Sequence, residues 1–404
     1  MALKALEDAS ARRLLECLFG NSPYLGELAC RDQVSTLELL IEGPAAAVES
    51  AYRDHLFNPV MAETEADISR RLRRAKRRVA LALAVADITC HWDLDKVTYE
   101  LSSLADRAVG IAGGHLLQQL HDRGKITLPD AESDPWSGSG LIVLGMGKLG
   151  AFELNYSSDI DLIILFDADR ITTPDSDELQ THMSRLARGL GRLLGERTSE
   201  GYVFRTDLRL RPDPNSTPPA LSVLAAETYY ESIGQNWERA AMIKARAIAA
   251  DQPAATAFLR HLRPFVWRKS LDFHAIRDVQ SIKRQIHAHK GGGEVRLAGH
   301  NIKLGRGGIR EIEFFAQTQQ LIWGGRETRL RERATQPALI GLSDVGYLDR
   351  GVAVELIEDY RFLRTLEHRL QMIHDEQTQT LPDDEEGLRH LSVFMGFDSL
   401  EAFA

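Results

Sequence analysis

Asp159 and Asp161 stand two residues apart at the head of an apolar run, Ile160 to Phe166, and behind a glycine-rich turn, Gly145-Met-Gly-Lys-Leu-Gly150. On an extended strand such residues share one face, roughly 6.5–7 Å apart along the backbone, so the two carboxylates can ligate one cation together. Three other Asp-x-Asp pairs, Asp93/Asp95, Asp167/Asp169 and Asp175/Asp177, have neither the glycine turn before them nor a long apolar strand after, and read as solvated or capping carboxylates. From Gly201 to Pro212 a third strand is expected, with Arg205, Asp207, Arg209 and Arg211 on one parity and Phe204, Leu208 and Leu210 on the other. A solvated sheet face alternates in the same way. An aspartate among three arginines, beside two strand carboxylates, reads better as a third metal or base carboxylate with phosphate-binding neighbours.

Three such carboxylates suit nucleotidyl transfer. Two Mg2+ ions bridged by Asp159 and Asp161 would stabilise the attacking and leaving oxygens of an in-line displacement at phosphorus, and Asp207 would complete one metal site or accept a proton. Gly145, Gly147 and Gly150 would let backbone amides approach phosphate oxygens, with Lys148 and Ser158 in the same nucleotide-binding set. Leu149 stands where a Walker motif needs Ser or Thr. A dinucleotide fold is excluded too, because the glycines lead within nine residues to the carboxylate strand rather than through a full helix. Residues 290–310 are glycine-rich and carry Lys303, Arg306 and Arg310 ahead of a helix from about Ile309 to Ile322. Free amides and the helix dipole make that an expected anion site, with a flexible loop of incidental basic residues as the competing reading.

The elements that must position these groups are mostly helical. The spacing predicts helices throughout residues 1–125, including a long one over Glu63–Thr89 whose run from Arg70 to Arg78 reads as a solvated face. A Pro-, Ser- and Gly-rich connector, 126–140, precedes the first strand, Leu141 to Gly145. A helix over 178–197 follows the second strand, and from about Ser222 onward, including the aromatic-rich Glu227–Ala249, only helix is expected. A long apolar stripe over Leu348–Asp375 reads as core or partner packing. The expected organisation is therefore α+β: an N-terminal helical region, 1–125, a catalytic domain with a small mixed sheet, 126–221, and a C-terminal helical domain, 222–404.

With 404 residues, 44% hydrophobic and 26% charged, the chain has the composition of a globular protein of two or three domains. A net charge of -9 argues against a general nucleic-acid binder. Cys17, Cys30 and Cys90 are few and odd in number, which suits a reducing compartment, and no signal-peptide pattern or membrane-length apolar run is present, so a cytoplasmic location is expected.

The stretch Gly145-Met-Gly-Lys-Leu-Gly-Ala-Phe-Glu-Leu-Asn-Tyr-Ser-Ser-Asp-Ile-Asp-Leu-Ile closely resembles the signature of the glutamine synthetase adenylyltransferase/adenylyl-removing enzyme family. The likeness extends through Tyr202–Pro212, Lys303–Gln317 and Glu367–Pro382, and is less distinctive in the first hundred residues. It implies a polymerase-β-like nucleotidyltransferase fold with Asp159, Asp161 and Asp207 as the metal-binding carboxylates. The family enzyme is similar to two tandem copies of this unit. The motif's position about 140 residues after Met1, and a helical pattern still unfinished at Ala404, imply the N-terminal copy of a longer chain. That copy removes AMP from a tyrosine of glutamine synthetase: orthophosphate attacks the AMP phosphorus and releases ADP. The resemblance further implies the PII signal protein, in its uridylylated form, as a partner, and Arg209, Arg211 and the Lys303–Arg310 loop as the place to look for orthophosphate. Adenylylation from ATP, uridylyl transfer to PII, and a binding module without turnover are the alternatives.

Overall fold

A computed structural model describes residues 8–56, 64–269 and 296–404; the Lys290–Glu294 part of the expected glycine loop lies outside them. Four short helices open the described chain: α1 (Ala9–Asn21), α2 (Pro23–Arg31), α3 (Gln33–Glu42) and α4 (Pro44–His55). Two long ones follow, α5 (Glu65–Ile88) and α6 (Leu94–Asp122). Thr64 and Asp67 close a capping box on α5, and Asp93 caps α6. Strand β1 (Leu141–Gly145), the single turn α7 (Gly147–Gly150) and strand β2 (Ile160–Phe166) carry the motif. Asp175 then caps α8 (Ser176–Gly195), as the capping reading of that aspartate expects.

Strands β3 (Thr206–Asp207) and β4 (Ala220–Ser222) are short, and helices α9 (Val223–Ser232) and α10 (Asn236–Ile243) lead to β5 (Arg246–Ala250), α11 (Gln252–His261) and α12 (Arg263–Val266). The rest is helical: α13 (Ile309–Trp323), α14 (Thr335–Asp344), α15 (Arg350–His374), α16 (Glu385–Phe394) and α17 (Leu400–Phe403), with a 3-10 turn at Thr328–Leu330.

The sheet is mixed, in the order β3-β2-β1-β5, with β4 also on β2. β1 runs antiparallel to β2 and β5, whereas β3 and β4 are parallel to β2. Both faces are covered, which is why β1 and β2 read as continuous apolar runs. Val143, Leu162 and Ile164 join the core shared with α5, α6 and α8. Ile142, Leu144, Ile163 and Leu165 face the other way, into a core with Met242, Phe258 and Val266. Asp161 has the parity of Ile163 and therefore opens toward α10.

Two expectations are corrected here. A strand does reappear after residue 222: Arg246–Ala250 pairs with β1, so the sheet extends past the boundary placed at 221. Its sequence, Arg-Ala-Ile-Ala-Ala, has little strand propensity, and pairing to a buried central strand overrides it. Nor is the basic run on α5 a solvated face. Arg73 is 1% exposed and donates to the carbonyls of Gly201 (2.8 Å) and Leu193 (3.1 Å), and Lys76 reaches the Tyr156 carbonyl at 3.3 Å. Arg74 and Arg77 pair with Glu200, and Arg78 with Asp54 and Glu38. The run fastens α5 to the segment leading into β3.

Helix α15 ties the N-terminal helices to the sheet through buried ions. Asp87, at the end of α5, accepts from His368 Nδ1 and from Arg369, each at 2.7 Å. Breaking one partner of a buried pair leaves the others unpaired in a medium that cannot solvate them. Asp87→Ala is expected to lower unfolding free energy by about 3–5 kcal/mol. Glu385→Ala, which removes the exposed Arg389–Glu385 pair, is expected to change it by less than about 1 kcal/mol. Urea unfolding of both variants measures the contrast, and equal shifts would contradict it.

Candidate active site

The three carboxylates come together where β2 begins. β3 pairs in parallel with β2 so that Asp207 lies directly opposite Asp161, across a strand spacing of about 4.8 Å. With Asp159 they line a cleft of about 420 Å3. Gly147 sits above Asp161 with φ +53°, and a Cβ there would come within 3.2 Å of the Asp161 Oδ2. Glycine at this turn leaves that carboxylate its space.

The same cleft is lined by Lys303, Arg310, Trp237, Phe314 and Gln317, contributed by α10, α13 and the segment before α13. Arg205 bonds Asp159 Oδ1 through Nε at 2.6 Å and also reaches Tyr202 and the Ser157 carbonyl. Arg209 grips Asp207, its Nε 2.8 Å from Oδ2. These contacts tune the three acids differently. The hydrogen bond from Arg209 holds Asp207 below the usual carboxylate range. Burial, with Asp207 and Asp159 beside it, pushes Asp161 up to about 6. Asp207 is thus the poorer proton acceptor of the two, which favours the ligand role over the base role suggested for it by sequence.

The donor chemistry of the site matches Mg2+, a hard cation taking carboxylate oxygens. Crowding of like charge around Asp161 is the observation that fits, since a bound cation relieves it. Among the described residues, however, no group of three His, Cys, Asp or Glu side chains is already closed around a metal position. Arg205 and Arg209 hold Asp159 and Asp207 instead.

Of the other expected ligands, Gly147, Lys148, Ser158, Arg209, Lys303 and Arg310 line the cleft. Lys148 does so with its Nζ committed to Glu367 at 2.7 Å, and burial lowers its pKa to about 8. Three expected ligands are placed elsewhere. Gly145 is a ladder residue between Leu162 and Arg246, packed against Ile248. Arg211 is caged by the carbonyls of Leu208, Pro214, Thr217 and Pro218, because the chain turns after Asp207 instead of continuing as a strand. Arg306 is exposed and outside the cleft lining. Arg205 positions Asp159 and is not itself part of that lining.

The groups that sequence missed are the supports. Glu153 is buried and accepts from Lys244 and from the Thr335 backbone N–H, each at 2.7 Å. Glu313, also buried, lies 3.6 Å from both Lys244 and Arg310. Arg364 donates to the Glu153 carbonyl and to Asn155, and Gln371 accepts from the Ser157 N–H at 3.0 Å. Residues 153–157 are therefore pinned on nearly every second position just before Asp159. The signal for this was present in α15, where Arg364, Glu367, His368 and Gln371 follow the i, i+3, i+4, i+7 spacing of a buried stripe.

The model of the glutamate-ammonia ligase adenylyltransferase family matches residues 12–261. The chain belongs to this family. Residues 277–404 match a second model, GlnD PII-uridylyltransferase. A protein of Rhizobium meliloti named bifunctional glutamine synthetase adenylyltransferase/adenylyl-removing enzyme is 52% identical over 98% of this chain and 41% of its own length. Relatives of the same name from Mesorhizobium japonicum and Agrobacterium fabrum are 49% and 48% identical, over 96% and 98% of this chain. The chain spans about two fifths of the length of these relatives. Among the described residues no helix is long and apolar enough to cross a membrane.

The raised Asp161 value has a consequence for stability. Folding disfavours the ionised form, so Asp161 costs nothing below about pH 4, where it is protonated folded and unfolded alike, and costs most above about pH 6. In chelator-containing buffer, Asp161→Asn is expected to be more stable than the parent by about 1–3 kcal/mol at pH 7.5, the advantage shrinking away as pH falls from 6 to 4. Thermal unfolding across that range checks the sign, and a less stable variant at pH 7.5 would refute it.

Proposed function

We propose that this chain removes AMP from an adenylylated tyrosine of glutamine synthetase by Mg2+-dependent phosphorolysis, giving ADP and the free tyrosine. The observation that carries this reading is the lining of the cleft, which brings three carboxylates together with Lys303 and Arg310. Such a cleft can hold the phosphorus under attack beside the carboxylates and an anionic attacking phosphate on the cations. The names of the relatives supply the substrate and both directions of transfer. We read the sheet as a polymerase-β-like nucleotidyltransferase core, supported by Asp159 and Asp161 at the start of β2 and Asp207 in register on parallel β3. The uridylylated PII protein is the proposed regulatory partner.

In the proposed step an orthophosphate oxygen forms a bond to the AMP phosphorus as the bond from phosphorus to the tyrosine oxygen breaks. The proton of the attacking phosphate passes to the tyrosine oxygen. Lys303 and Arg310 bind the orthophosphate, and Arg205 fixes Asp159. Asp159, Asp161 and Asp207 would hold the Mg2+, two ions in this reading, whose positive charge lowers the cost of the phosphoryl charge during displacement. Trp237 and Phe314 give the cleft an apolar shelf for an aromatic ring. Uridylyl transfer is the second reading, drawn from the match over 277–404. It is the weaker one because all three carboxylates fall within the adenylyltransferase match, 12–261.

Adenylylated synthetase incubated with this chain, Mg2+ and orthophosphate is expected to release ADP. Asp159→Asn and Asp207→Asn are each expected to reduce the rate by at least about 100-fold, since even outer partners of metal ligands cost 10- to 100-fold. Lys303→Gln is expected to raise the KM for orthophosphate by about tenfold, the loss of roughly one charged contact, with a smaller effect on kcat. A chain that releases no ADP but consumes ATP to modify the unmodified synthetase would reverse the assigned direction.

A further inference from the structure

Helix α10 separates two cavities. Asn236, Trp237, Ala240 and Ala241 face the carboxylate cleft, whereas Met242 and Ile243 line a second cavity of about 700 Å3. Four arginines converge on that second cavity: Arg260, Arg263, Arg331 and Arg333, over an apolar floor that includes Leu262 and Val266. Among the described residues no carboxylate lines it. Elsewhere the chain matches its crowded cations: Arg74 and Arg77 share Glu200, Arg246 takes Asp106, and Lys244 takes Glu153 and Glu313. With a net charge of -9 the chain has acids to spare, yet among the described residues the nearest to these arginines in sequence, Glu332 beside Arg333, is not part of the lining.

Among the described residues none of the four arginines makes an ion pair. Arg331 bonds the Gly324 carbonyl through Nε at 2.8 Å and lies over the Trp267 ring, and Arg333 bonds the Ala245 carbonyl through Nε at 3.0 Å. Their Nη groups are left to other partners. Burial and the neighbouring Arg263 hold Arg331 below the usual arginine range, as expected of like charges drawn together. Guanidinium forks match carboxylate and phosphate oxygens two at a time, and an apolar floor favours a carbon body over bare water.

We infer that this cavity binds a small organic polyanion, its carboxylate or phosphate groups paired with the four arginines and its carbon body on the apolar floor. The site lies across the seam between the two matched regions. Arg260 and Arg263 belong to residues 12–261 or follow them directly, and Arg331 and Arg333 belong to residues 277–404. Occupancy would bridge the two and bear on the wall that α10 shares with the carboxylate cleft.

Titration calorimetry of the intact chain with citrate, and separately with tripolyphosphate, at constant ionic strength tests this. Saturable binding of either probe is expected, and the probe that binds assigns carboxylate or phosphate as the recognised group. Arg260→Gln/Arg263→Gln is expected to weaken it by at least about tenfold. Both side chains are exposed and make no hydrogen bond among the described residues, so the variant is expected to fold as the parent does. Lys303→Gln/Arg310→Gln, in the carboxylate cleft, is expected to leave the binding unchanged. The inference is overturned if neither probe binds saturably, if Arg260→Gln/Arg263→Gln binds as the parent does, or if the cleft variant alone loses binding.

Discussion

Glu367 is completely buried, with Lys148 at 2.7 Å on one side and Arg364 at 3.6 Å on the other. Burial alone would raise its pKa, but these two cations hold it ionised, at about 2. A buried carboxylate and its cations must be brought together or each pays its full desolvation cost, so this contact fixes how α15 meets the turn after β1. Arg364 and Gln371, on the same helix, then reach residues 153–157, and Tyr202 reaches Asp375 just past its end. Asp159 follows one anchored segment and Asp207 the other. The placement of the carboxylates therefore depends on contacts between segments 173 to 219 residues apart in sequence.

That arrangement explains why charges rather than apolar groups were used for the support. An apolar stripe on α15 would stabilise equally well in several rotations, whereas Arg364 on Asn155, Glu367 on Lys148, and His368 and Arg369 on the two oxygens of Asp87 admit one register. A site that must hold three like charges within a few ångströms cannot rely on those charges to position themselves. Their mutual repulsion, visible in the raised Asp161, pushes them apart, and the surrounding network supplies the opposing restraint.

The parts of this fold that were legible in the sequence are those decided locally. Continuous apolar runs marked β1 and β2, apolar spacing marked α5, a capping aspartate marked α8, and the parity of Asp159 and Asp161 placed both on one strand face. Strand β5 was not legible, because Arg246–Ala250 becomes a strand only by pairing with β1. Arg211 was misplaced for a related reason: strand parity was extended through a segment that leaves the sheet after Asp207, and its guanidinium satisfies turn carbonyls instead. The arginines of α5 show the opposite error. Charge density was taken as exposure, yet Arg73 is among the most buried side chains, because guanidinium can meet several carbonyls at once.

The two family matches divide the chain near residue 270, but the physical unit is not divided there. Lys244 and Lys148 lie in the first match, whereas Glu367, the partner of Lys148, and Glu313, which joins Glu153 around the buried Lys244, lie in the second. Asp87 in the first is matched by His368 and Arg369 in the second. Removing one of these later partners from the folded chain leaves its buried counterpart short of a counter-ion, at a cost of about 3–5 kcal/mol. The cations of the cleft, Lys303 and Arg310, come from the second match as well. The C-terminal helices thus line part of the candidate site and supply the charges that hold its carboxylate side in place.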